Sequence, residues 1–151
     1  MQATLLLVQY VSQNIALFCC ALFAGAATYV SLVEQPAIRD AGRDMAGTYV
    51  LLAQPRPVLF QTFFSSVGAL AGISAGVAGS GTWWLAGGLV LSTAALFQIF
   101  AVMPEMRQLA QLGNNADAGK SRSEPQEKLT RLHAIQSLAG LVALFTFIMK
   151  A

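Results

Sequence analysis

"PVLFQTFFSSVGALAGISAGVAGSGTWWLAGGLVLSTAALFQIFAVMP", residues 57–104, runs for 48 residues without a single Asp, Glu, Lys or Arg. A membrane-crossing helix takes about 20 predominantly apolar residues, so this run holds two crossings and the turn between them. The turn falls at "GSGT", residues 79–82, because glycine permits the tight backbone a hairpin needs. Outward from this core, residues 1–33 are also uncharged and hold a third crossing, which ends near Glu34. A fourth uncharged run, Leu132 to Met149, spans 18 residues and includes His133.

The whole chain has 151 residues, enough for one domain of ordinary size. It is 56% hydrophobic and 11% charged, against about 25% charged for a soluble domain. A water-soluble helical protein would carry polar outer faces, and these runs have none. The expected fold is therefore all-α: a single integral membrane four-helix bundle of up-down topology. Its spans are expected at about 6–33, 58–79, 84–103 and 129–149. Pro36 and Pro104 read as the stops of the first and third helices, since proline tends to end helices. The first run lacks the basic flank of a cleaved signal peptide and exceeds an apolar stretch of about 7–15 residues, so it reads as a retained span.

Charge sets the orientation. The first connector carries Arg39, Arg43 and Arg56, and the third with its flanks carries Arg107, Lys120, Arg122, Lys128 and Arg131. Eight of nine basic side chains thus fall on one side, with Lys150 alone on the other. By the positive-inside rule both connectors are cytoplasmic and both termini extracytoplasmic. Residues 46–53, "AGTYVLLA", read as a short interfacial helix with Tyr49 at headgroup level, and Trp83 and Trp84 as interfacial anchors. A net charge of +2 without aromatic interleaving gives no nucleic-acid surface. Cys19 and Cys20 are adjacent and mid-span, and read as small packing residues.

Gly68, Gly72 and Gly76 stand at spacing four on the second helix, a series that lets helices approach closely in lipid. Ala21, Gly25 and Thr28 form a similar face on the first. Packing inside one bundle is the simpler use of the ladder; a homo-oligomer stays open.

Polar residues inside a membrane are costly and face the protein interior. His133, Gln136, Ser137 and Gly140 share one face of the fourth helix, and Gln61, Ser65 and Gly68 repeat that spacing on the second. Gln98 and Glu105, seven apart, lie on one side of the third. Antiparallel helices bring Glu34, Gln61, Glu105 and His133 toward one level near the cytoplasmic end. Two uses compete. The side chains can simply bond one another across the bundle, each contributing about 1 kcal/mol or less. Alternatively, Glu34 and His133 form an acid/base pair that takes a proton from an apolar acidic substrate arriving from the membrane. One histidine and two glutamates do not make a ligand-spacing motif, so no cofactor is expected, and metal stays open. No P-loop, dinucleotide fingerprint or nucleophile elbow is present.

The pattern "ALFAGAATYVSLVEQPA" at residues 21–37, a proline-bearing connector, "VMPEMRQL" closing the third span and "RLHAIQS" opening the fourth resembles the anthrone oxygenase-like family of small four-span membrane proteins. The marks are Gly25, the Glu34–Pro36 step, Pro104 and His133, over most of the chain. Family members often carry histidine where this chain has Gln35, and an arginine or asparagine soon after the histidine of the fourth helix. The resemblance implies an oxygenase converting anthrone-like intermediates to quinones without an obligatory organic cofactor. It implies a bacterial cell (inner) membrane location, with membrane lipid and a lipophilic small molecule as partners. On this chain His133 or Glu34 would be the base, and Gln61 or Gln98 would hold the carbonyl that becomes an enolate. Gln136 and Glu105 complete the candidate substrate-binding set. The competing expectation is a non-enzymatic membrane module for small-molecule binding, permeation or assembly. A closed apolar pocket above His133 would favour the enzyme. A filled core with His133 turned outward would favour the module.

Overall fold

In the computed structural model, residues 2–40, 55–113 and 123–149 are described, and all the regular structure among them is helical. We number four helices. α1 comprises Gln2–Tyr29, a π turn at Val30–Glu34 and a last segment Gln35–Asp40. α2 is Pro55–Ala75, closed by a wide turn at Gly76–Ser80. α3 comprises Thr82–Phe97, a π turn at Gln98–Val102 and Met103–Gly113; α4 is Ser123–Ile148. Each contains a segment long and apolar enough to cross a membrane: Gln2–Ile38, Arg56–Ser80, Thr82–Gln108 and Glu127–Ile148. The expected interfacial helix at 46–53, and the basic residues Arg43, Lys120, Arg122 and Lys150, lie outside the described residues.

Neither Pro36 nor Pro104 ends its helix, contrary to expectation. In a regular α-helix each ring would crowd the carbonyl four residues back and remove one bond. Here a five-residue turn precedes each proline by the same step, closed by Gln35 N–H to the Val30 carbonyl in α1 and by Met103 N–H to that of Gln98 in α3. Such local π adjustment is how membrane helices absorb proline. The chain runs on as helix, and both prolines lie inside long elements.

The extra residue in each π turn resets the buried stripe. Val30, Glu34 and Ile38 are buried along α1, and Gln98, Val102 and Met106 occupy the corresponding positions of α3. Seven-residue spacing therefore no longer keeps one face, which takes Glu105 off the Gln98 stripe.

α1 packs on α2 and α4, and α3 packs on α2 and α4, while α1 and α3 touch only slightly. The glycine ladder faces α3 along its length, with Cys19 of α1 also close to Gly68 and Phe147 of α4 close to Gly72. A Cβ added to Gly68 would meet Leu91, one on Gly72 would meet Gly88, and one on Gly76 would meet Leu85. The partners descend as the ladder ascends, so the two helices run antiparallel. On α4, Gly140 lets Phe23 and Ala24 of α1 approach. The expected face at Ala21 and Gly25 is exposed instead, and Gly25 has open space around its Cα, because the packed stripe of α1 is Cys20, Phe23, Ala24 and Ala27. Trp84 is likewise no interfacial anchor. It is 1% exposed and stacked on Phe147 with ring centroids 5.1 Å apart, leaving Trp83 half-exposed.

At the α2–α3 hairpin the backbone reverses through Gly79 (φ 98°) and Gly81 (φ 111°), left-handed conformations that side chains resist. Gln9 of α1 reaches over to donate to the Ala78 carbonyl there.

Candidate functional site

The buried residues fall into three layers. One apolar cluster is built on Phe23, Ala69, Trp84, Leu91 and Phe147, and a second on Val58, Val102, Met106 and Leu129. Between them along α2, α3 and α4 lie Gln61 and Ser65, Gln98, and His133, Gln136 and Ser137, all buried. α1 contributes Glu34 and Gln35 beside its π turn, also buried. The molecule is apolar outside, with large side chains such as Leu32, Leu70, Phe100 and Phe145 exposed, and polar within. That distribution suits a hydrocarbon surround and not water.

Part of the layer is stitched together. Ser137 Oγ lies 2.6 Å from Ser31 Oγ and 2.7 Å from the Ala27 carbonyl oxygen it bonds, tying α4 to α1. Thr130 Oγ1 donates to Gln35 Oε1 at 3.2 Å. Gln98 Nε2 donates to the Val58 carbonyl at 3.5 Å, tying α3 to α2.

Other polar atoms of the layer have no such partners. Among the described residues, both ring nitrogens of His133, both amide atoms of Gln61 and of Gln136, Gln98 Oε1 and Gln35 Nε2 are buried without a hydrogen-bond partner. A buried donor or acceptor left unmade costs about 1–3 kcal/mol. A set of them in one layer, drawn from all four helices, is where a small oxygen-bearing guest would recover that cost.

Of the six residues expected at the site, Gln61, Gln98, His133 and Gln136 share this layer at 2% exposure or less, and Glu34 joins it at 8%. His133 makes no hydrogen bond to Glu34, since neither ring nitrogen has a partner. Glu105 is engaged elsewhere, in an ion pair with Lys128 of α4. Sequence reasoning left Gln35 and Thr130 out of the candidate set. The signals for Gln35 were its place beside Glu34 and the histidine often found there in the family it resembles, and the π turn that buries both is invisible in residue type. No group of three His, Cys, Asp or Glu side chains converges among the described residues.

A groove of about 210 Å³ opens between α3 and α4, lined by Val90, Ala94, Phe97, Ile135, Gln136 and Ala139 among others. Gln136 belongs both to this groove and to the buried layer.

No protein-family model matches this chain, and no curated protein or solved structure does either.

Proposed function

We propose that this chain is a multi-pass protein of a bacterial inner membrane, an up-down bundle with both termini extracytoplasmic. In this reading its buried polar layer binds a lipophilic aromatic molecule and oxygenates it without a cofactor, as the resemblance to the anthrone oxygenase-like family implies. The observation that carries it is His133: 2% exposed, in a buried layer between two apolar clusters, with two unpartnered ring nitrogens among unpartnered amides.

In this reading neutral His133 takes a proton from the acidic methylene of an anthrone-like substrate. The carbanion gives its electrons to dioxygen, a C–O bond forms, and the imidazolium protonates the peroxide. Loss of the second C–H proton and of hydroxide leaves a carbonyl, so one dioxygen yields one quinone oxygen and one water. The enolate oxygen needs a donor. Gln61 is the better candidate, since neither of its amide atoms is bonded, whereas Gln98 already commits one N–H to the Val58 carbonyl. Glu34 then acts through the field of the layer and not by direct transfer to the imidazole.

Oxygen uptake by the purified protein with anthrone tests this. After subtraction of autoxidation, His133→Ala should lose roughly 10²–10⁴-fold, and Glu34→Gln distinctly less. Equal rates in all three proteins would sink the acid/base mechanism. A second reading, a binding module without chemistry, is favoured by the groove, which is open and reaches Gln136, not a closed pocket over His133.

A further inference from the structure

We infer that the α3–α4 groove is a lateral binding site for a neutral, single-ring phenol whose apolar remainder stays in the surrounding lipid. The site rests on the reading of the polar layer as a small-molecule site, borders that layer at Gln136, and takes a smaller molecule than an anthrone.

Three observations carry it. The first is size. An apolar cavity of about 150 Å³ accommodates benzene, so about 210 Å³ takes one substituted ring and not three fused rings. Any larger molecule must leave the rest of its body outside, and the groove is open on the side where Ile135 is exposed.

The second is chemistry. None of the lining residues is charged, which disfavours a carboxylate or phosphate head, and Phe97 provides an aromatic wall. Gln136 is 1% exposed and has neither amide atom bonded. A primary amide of this kind offers a donor and an acceptor side by side. A phenolic hydroxyl, which both donates and accepts, satisfies the two together.

The third is a comparison inside the molecule. Gln61, Ser65 and Gly68 on α2 correspond in spacing to His133, Ser137 and Gly140 on α4. On that correspondence Gln136 stands where α2 has Phe64, a residue in ring contact with Phe60 and Phe63 at 4.4 and 5.2 Å. The glutamine is a departure at this position: α2 fills it with an aromatic ring, and α4 sets an unbonded glutamine in the groove wall.

The experiment uses the full chain in lipid nanodiscs and an alkylphenol carrying a diazirine next to the ring. Photolabelling should be saturable and map to peptides covering 90–97 and 135–139. Gln136→Leu should raise the half-saturating concentration at least tenfold. Ala139→Phe, which fills the groove from α4, should abolish labelling there, and Val90→Phe should do the same from α3 should the first variant fail to fold. The methyl ether of the phenol should compete at least tenfold more weakly. Labelling indifferent to Gln136→Leu and Val90→Phe, or an ether or an alkanoate competing as well as the phenol, would overturn the site. Binding without anthrone-dependent oxygen uptake keeps the groove and removes the oxygenase. Uptake that depends on His133, with labelling blind to Gln136, does the reverse.

Discussion

A methyl group at Gly88 would stand 2.8 Å from the backbone nitrogen of Ile73 and 3.1 Å from the Ala69 carbonyl oxygen. Backbone cannot yield as a side-chain tip can, so Gly88→Ala must push α2 and α3 apart. The expected cost is about 1–3 kcal/mol, as for overpacking elsewhere, read as a lowered melting temperature in detergent. Gly25→Ala is the matched control, because nothing lies within 4 Å of its added Cβ and alanine is the better helix former by about 1 kcal/mol. A Gly88→Ala protein as stable as Gly25→Ala would contradict this account of the seam. By comparison an interhelical bond such as Ser31–Ser137 contributes about 0.6 kcal/mol, so close approach outweighs polar stitching. At this scale the sequence was readable where spacing is regular: His133, Gln136 and Ser137 on α4 and Gln61 and Ser65 on α2 are all buried. It misled at Glu105, where a charge near a helix end found Lys128, a partner no stripe on one helix can reveal.

The two π turns explain why the elements were legible in number but not in extent. Uncharged runs mark a crossing whatever its internal bonding, so four spans follow from composition. The stop at Pro36 and Pro104 assumed uniform α bonding, and so did the alignment of Gln98 with Glu105. One extra residue in the turn defeats both assumptions at once. Deleting Ile99 should restore α bonding in α3 and, because the turn absorbs its extra residue without rotating the rest of the helix, keep Met106 in the cluster it shares with Val58 and Leu129. The ring of Pro104 would then crowd the carbonyl four residues before it, at a cost of about 3 kcal/mol. Thermal unfolding of the deletion variant, alone and combined with Pro104→Ala, checks this; a wild-type melting temperature for the deletion alone would mean that the turn is dispensable. π turns recur at functional sites in other proteins, and both of these border the polar layer through Glu34 and Gln98.

For the whole molecule, the proposed orientation rests on eight basic residues gathered to one side. A reporter joined after Ala151 should be active outside the cytoplasm, and activity confined to the cytoplasm would invert the arrangement and place the polar layer near the opposite surface. The layer's position between two apolar clusters does not depend on that outcome, since one cluster is fixed by packing among all four helices and the other by packing among α2, α3 and α4.

The paired π turns carry one more consequence. "EQPAIRD" at 34–40 and "VMPEMRQ" at 102–108 set proline and arginine at matching places, and the buried residues Phe23, Ala27, Val30, Glu34 and Ile38 match Leu91, Ala95, Gln98, Val102 and Met106 in step. Exchanging α1 with α3 and α2 with α4 leaves the set of packed neighbours unchanged. The α1–α2 pair and the α3–α4 pair thus repeat one packing pattern. A pattern used twice supplies scaffold, and what distinguishes the halves lies where the match is broken. It is broken where His133 faces the role of Gln61, Gln98 that of Val30 and Gln136 that of Phe64. These three departures from the repeated pattern fall in or beside the layer where the unpartnered amides and the imidazole gather.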